Sequence, residues 1–131
     1  MVPRLEKIIN ELEVSYKKNA HNEKLNSLLA SAYGSLSWYY IFRKQFLKTL
    51  ESAKRGLAID STQTWIYSNL AIGYLSQGKL HEAEQIYAKY KDLGFDDQRS
   101  FKDAFIDDLH TLREANIIFP DMREAEDFLL R

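Results

Sequence analysis

The chain has 131 residues, a length that suits one domain with a core large enough to stand without covalent staples. It has no cysteine, so disulfides, thiolate metal centres and cysteine nucleophiles are excluded. Its formal net charge of −1 leaves no global field to draw it to nucleic acid. The charge is uneven, however: residues 1–60 carry ten Lys/Arg against six Asp/Glu, and residues 61–131 eight against thirteen, or +4 and −5. Solvated helix faces account for this pattern, and docking of a basic end on an acidic end is the sharper reading. The first residues, MVPRLEKIINELEV, are too charged for a signal peptide, and no apolar run approaches bilayer length. The expectation is therefore a soluble, cytoplasmic protein without a membrane contact.

Apolar spacing predicts seven helices. The first, from Pro3 to Lys18, has Leu5, Ile8, Ile9, Leu12 and Tyr16 on one stripe, with Pro3 suited to its first turn. The second, Lys24 to Phe42, presents Leu25, Leu28, Leu29, Ala32, Tyr33, Leu36 and Tyr40 inward. The third runs from Gln45 to Ile59 on Phe46, Leu50, Ala53 and Leu57, and Asp60, Ser61 and Thr62 then stop it and cap the next. The fourth, Thr62 to Gln77, carries Ile66, Leu70, Ala71 and Tyr74, and Gly78 is placed for a left-handed stop. The fifth, Leu80 to Leu93, shows Ala83, Ile86, Tyr87 and Tyr90 and closes the same way at Gly94. Asp96 or Asp97 is placed to cap the sixth, with Phe101, Phe105, Leu109 and Leu112 as its stripe. After Pro120, Asp121 with Glu124 three residues on has the spacing of a capping box for the seventh, which carries Met122, Ala125, Phe128 and Leu129. That last stripe has barely begun at Arg131, which fits a capping helix or an excerpt of a longer chain.

Sliding the sequence on itself by 34 residues brings out a repeat. Tyr33 falls on Tyr67, Leu36 on Leu70, Tyr40 on Tyr74, Phe46 on Leu80, Ser37 on Ala71 and Thr49 on Ala83. Small residues at matched places let the two helices of a hairpin cross closely, and the large ones fill the gap to the next hairpin. The stretch from Trp65 to Tyr90 resembles a tetratricopeptide repeat: Leu70-Ala71, Tyr74, turn glycine Gly78, Ala83 and Tyr87 stand at that family's spacings. The preceding stretch, 31–59, keeps Leu36, Ser37, Tyr40 and Phe46, but has Thr49 for alanine and Lys44 for the turn glycine. The resemblance covers 31–94. It implies an all-α chain in which antiparallel helix pairs build a right-handed superhelix. Residues 1–131 would then be one domain, with 1–30 and 95–131 as flanking and capping helices.

Such repeats bind peptide segments in the concave groove lined by the first helix of each pair. On the first repeat the resemblance places Ser31, Gly34, Ser35, Trp38, Ile41 and Phe42 there. On the second it places Trp65, Ser68, Asn69, Ile72, Leu75 and Ser76. Trp38 and Phe42 share a helix face, and Gly34 with Ser35 leaves room for another backbone. The implied function is a non-catalytic protein-interaction module taking an apolar peptide or helix. A structural segment whose groove is filled by its own Phe101, Phe105, Phe128 and Leu129, serving to cap or dimerise a larger protein, is the alternative. The carboxylate clamp of one subtype is matched here only by Asn69, which favours an apolar ligand.

Signatures of other chemistry are weak. His110 has Asp107 and Glu114 on its helical face, a spacing that could ligate a metal, but the chain has no second copy of the motif. His21 and His81 read as surface residues. The chain has no phosphate loop, dinucleotide fingerprint or serine elbow. Neither a cofactor nor an enzymatic activity is expected. Basic Lys17, Lys18, Arg43, Lys44 and Lys48 near Trp38 and Tyr39 give only a faint likeness to a single-stranded nucleic-acid surface.

Overall fold

Residues 1–131 are described by a computed structural model. They form seven helices and no strand. The helices are α1 (Val2–Lys18), α2 (Glu23–Phe42), α3 (Phe46–Ile59), α4 (Ile66–Ser76), α5 (Leu80–Tyr90), α6 (Phe101–Glu114) and α7 (Met122–Leu130). No helix is long and apolar enough to cross a membrane. The structure divides into two compact units, residues 1–69 and 70–131, with the boundary inside α4.

In the first unit α2 is packed on two sides. One side meets α1: Leu29, Ala32, Leu36 and Tyr40 are buried with Val2 and Ile9, and Leu5, Leu12 and Tyr16 close the cluster. The spacing 29, 32, 36, 40 gives one helical stripe, and burying each such side chain contributes about 1.5–3 kcal/mol. The other side meets α3, where small residues bring the backbones together. A Cβ added at Gly56 would stand 3.0 Å from the Ala30 carbonyl oxygen, and Thr49 and Ala53 are fully buried.

Polar contacts fix the register. The Tyr33 hydroxyl donates to the Glu13 carboxylate at 2.7 Å, and Arg55 Nη2 donates to the same carboxylate at 2.9 Å, tying α1, α2 and α3 together. The Tyr40 hydroxyl donates to Glu6. Leu28, expected on the inner stripe, is 57% exposed. Its position falls at the border of that stripe, and α1 does not reach it.

The α3–α4 connection explains why α4 starts at Ile66 and not at Thr62. Asp60 Oδ1 accepts from the Thr62 backbone N–H at 3.0 Å and from its hydroxyl at 2.6 Å, closing a local turn that competes with helix. Three short i→i+3 backbone bonds, from Ile66 to Gln63, Tyr67 to Thr64 and Ser68 to Trp65, lead into the helix.

The 34-residue periodicity is present in the backbone itself. Helix ends Phe42 and Ser76, and helix starts Phe46 and Leu80, are each 34 apart. At the first turn Arg43 and Gln45 N–H both donate to the Tyr40 carbonyl and Lys44 N–H to that of Ile41. At the second, Gln77 and Lys79 donate to Tyr74 and Gly78 to Leu75. Gln45 (φ −99, ψ 66) and Lys79 (φ −101, ψ 63) precede α3 and α5 with almost the same backbone angles. Lys44 takes the left-handed conformation (φ 57) that Gly78 takes at φ 72.

The second unit is built on aromatic rings. Tyr87 and Phe105 stand 4.8 Å apart, Tyr90 and Phe101 5.5 Å, and Phe101 and Phe105 5.6 Å. Tilted pairs at these distances add about 0.5–1.5 kcal/mol beyond burial. Helix α5 ends at Tyr90, three residues before the expected Leu93, which is 51% exposed. Gly94 is not left-handed; it pairs with Ser100 in an isolated β-bridge. Asp96, expected as a cap, instead accepts from the Gln98 and Arg99 backbone at 2.9 and 2.8 Å and closes its own loop. The cap of α6 is Ser100, which forms a capping box with Asp103. The box expected at Asp121 does not form: its side chain makes no cap bond. Arg113 of α6 grips Glu126 of α7, and Met122, Ala125 and Leu129 fill the space beneath.

Candidate functional site

The outer face of α2 is the surface left uncovered by these contacts. Lys24, Leu28, Ser31, Ser35, Trp38 and Phe42 follow one another at three- and four-residue steps, so they lie along one face. Each is exposed or partly exposed, with Leu28 at 57% and Phe42 at 39%. Trp38 meets Phe42 edge to face at 5.0 Å between ring centroids, which makes the two a single aromatic platform. Ser31 and Ser35 stand between Leu28 and Trp38 on this face, and Trp65 lies across the neighbouring Gly34.

Ser35, Trp38 and Phe42 are thus brought together as the sequence suggests. Other expected members are not on that surface. Ile41 is fully buried. Asn69 is 4% exposed; its amide donates to the Gly34 carbonyl at 3.1 Å and to Ser37 Oγ at 3.0 Å, so it serves the interior and has no donor left for a carboxylate in that place. The room expected above Gly34 is filled. The Trp65 Cη2 stands 2.4 Å, and Ile66 side-chain carbons 2.8 and 2.9 Å, from where a Cβ would be. Trp65 is half-buried there, with Nε1 donating to Gln63 Oε1 at 2.9 Å.

Ile72 and Ser76 belong to the second unit. Ile72 is 1% exposed, which removes it from any accessible surface, and the Ser76 hydroxyl donates to the Gly73 carbonyl at 2.6 Å. The resemblance assigns Ile41, Asn69 and Ile72 to a helix face without fixing their depth, and in the structure all three are buried.

Leu28 and Lys24 were missed as members of the face, although the 24–28–31–35–38–42 progression was there to find them. At this end Ser27 accepts from Gln63 Nε2 at 3.0 Å, joining α2 to the α3–α4 connection beside an open cavity. Asp60 also takes Gln63 Nε2 at 3.2 Å, and the hydrogen bond from the Thr62 hydroxyl, above all, holds its carboxyl below the usual range.

The other titratable groups singled out by the sequence are engaged locally. Asp107 pairs with Arg99 at 3.3 Å, and His110 Nε2 lies 4.0 Å from Glu126, which already holds Arg113. No group of three His, Asp or Glu side chains is arranged to hold a metal ion. His21 and His81 are exposed. Phe101, Phe105 and Leu129 are buried, and the two rings are spent on Tyr87 and Tyr90.

No family model matches the chain, and neither a curated protein nor a solved structure is significantly similar to it.

Proposed function

We propose that the chain is a non-catalytic, cytoplasmic protein-interaction module of the tetratricopeptide type. In this reading α2–α3 and α4–α5 are two successive helix pairs of a right-handed superhelix. What supports the assignment is the recurrence, at 34 residues, of the same turn hydrogen bonds, the same left-handed residue and the same helix-entry angles. Its ligand is an apolar peptide or helix lying along the outer face of α2, on the first unit alone.

The single observation that carries this is the Trp38–Phe42 platform, an edge-to-face aromatic pair whose outer ring is 39% exposed. Large accessible aromatics supply binding energy with little loss of side-chain freedom. The serines at 31 and 35 let a second backbone approach.

Selection of a random 12-residue peptide display library on the full chain tests this. The reading expects enriched peptides to share an apolar or aromatic anchor and to lose binding to a folded Trp38→Ala, Phe42→Ala double variant. Enriched peptides that bind both proteins equally would move the site elsewhere, and no enrichment would overturn the module reading.

A further inference from the structure

A cavity of about 800 Å³ opens beside the N-terminal end of the α2 face, between the start of α2 and the α3–α4 connection. One wall is apolar: Leu28 is 57% exposed, and Ile59 is partly buried at the end of α3. Two carboxylates, Glu23 and Asp60, stand among its polar groups. Asp60 is anchored by the Thr62 hydroxyl at 2.6 Å and by Gln63 at 3.2 Å, so its carboxylate stays fixed and charged at the rim. Glu23 is exposed and makes no ion pair.

The Asn26 amide nitrogen donates to the Ala20 carbonyl at 2.9 Å, which fixes its orientation and leaves its oxygen shielded from solvent without a partner. That oxygen is closed to an incoming side chain, and Glu23 and Asp60 are the carboxylates an occupant can reach. The C-terminal end of α3 at Ile59 brings the negative pole of one helix dipole and the first turn of α2 at Glu23 the positive pole of another, so the two helix ends offset each other and the side-chain charges decide. Against the two carboxylates stands one cation, Lys24, exposed and also without an ion pair.

We infer that this cavity receives a basic side chain, arginine or lysine, of the same peptide that lies on Trp38 and Phe42. This rests on the interaction-module reading above. The aliphatic stem lies on Leu28 and Ile59, and the head reaches Glu23 and Asp60. Arginine fits better, because its planar fork offers several donors to separated acceptors. An anionic or wholly apolar side chain would leave the carboxylates opposed or unpaired. Leu28 and Trp38 are ten residues apart on α2, roughly 15 Å along the axis at 1.5 Å per residue. An extended peptide rising about 3.3 Å per residue crosses that gap in four to five residues. The partner segment therefore carries a basic residue four or five positions from its apolar anchor.

The test is an amide chemical-shift titration of the full chain with Nα-acetyl-arginine amide and, separately, with Nα-acetyl-glutamine amide. The inference expects shifts at Ser27, Leu28 and Gln63 with the arginine compound and weaker ones with the neutral compound. Glu23→Gln, an exposed and non-disruptive change, should weaken arginine binding roughly two- to fivefold, and Lys24→Gln should strengthen it by a similar factor. Equal response to both compounds, or indifference to both substitutions, overturns the inference. If the arginine titration fails while selected peptides still depend on Trp38 and Phe42, the cavity assignment falls and the interaction reading stands. If arginine binds but no peptide is selected, the interaction reading falls and takes the shared-peptide assignment with it.

Discussion

Trp65 lies across Gly34 so closely that a Cβ there would meet its Cη2 at 2.4 Å and Ile66 at 2.8 Å. The glycine is the floor on which the start of α4 rests. Gly34→Ala should therefore lower stability by about 1–2 kcal/mol, the overpacking cost less what alanine gains in a helix. It should also shift tryptophan fluorescence as the indole is displaced. Urea unfolding read by fluorescence and by circular dichroism measures both.

Lys44 holds a left-handed backbone that its glycine counterpart Gly78 adopts 34 residues later. A side chain in that conformation is strained, by about 1 kcal/mol. Lys44→Gly should raise stability by about 0.5 kcal/mol once the looser unfolded chain is counted, and Gly78→Ala should lower it by about 1 kcal/mol. Thermal midpoints of the two variants should move in opposite directions.

The Glu13 carboxylate accepts from both Tyr33 and Arg55. Partial burial pushes its carboxyl up, but the hydrogen bonds from Arg55 and Tyr33 and the charge of Arg55 outweigh that and hold it below its ordinary 4.5. A group lowered on folding stabilises above its unfolded value and loses that contribution as pH falls through the folded one. Burial, followed by the bond to Glu13, pushes Tyr33 up from 10.0 to about 12, so its contribution is complete below 10 and is lost as pH rises through about 12. Glu13→Gln should cost about 0.5–1 kcal/mol at neutral pH, discounted because Arg55 is partly exposed, and should flatten the loss of stability below pH 4.5. Denaturant midpoints measured from about pH 2.5 to 6.5, about two units either side of the carboxyl's ordinary region, would show it.

Ser100 accepts from Asp103 N–H at 3.2 Å, and Asp103 accepts from Ser100 N–H at 3.1 Å. Ser100→Ala should cost about 1 kcal/mol and speed amide exchange in the first turn of α6, while Asp97→Ala should leave that turn unchanged. Amide exchange on the two variants separates them.

The helices were legible because their apolar stripes keep a strict three- and four-residue rhythm, and the turns because 34-residue matches such as Phe46 with Leu80 mark the same place in each hairpin. What the rhythm did not carry was competition among polar side chains. Asp60 closes a turn with Thr62 and delays α4; Asp96 closes a loop and leaves the capping to Ser100. Nor did it carry depth. Asn69 and Trp38 both fall on the expected groove face, yet Asn69 is drawn inward by the Gly34 carbonyl while Trp38 stays partly exposed and meets Phe42 edge to face. Leu28 went unrecognised because an aliphatic residue beside Leu29 reads as core until the reach of α1 is known.

The central claim is that the Trp38–Phe42 platform holds an external segment. Its most direct test is the dissociation constant of one selected, fluorescently labelled peptide for wild type and for the Trp38→Ala, Phe42→Ala variant, with matched circular dichroism spectra as the control for folding. The account predicts a loss of roughly 30-fold or more, the fold-change of a 2 kcal/mol anchor. Unchanged affinity in a folded variant would contradict it.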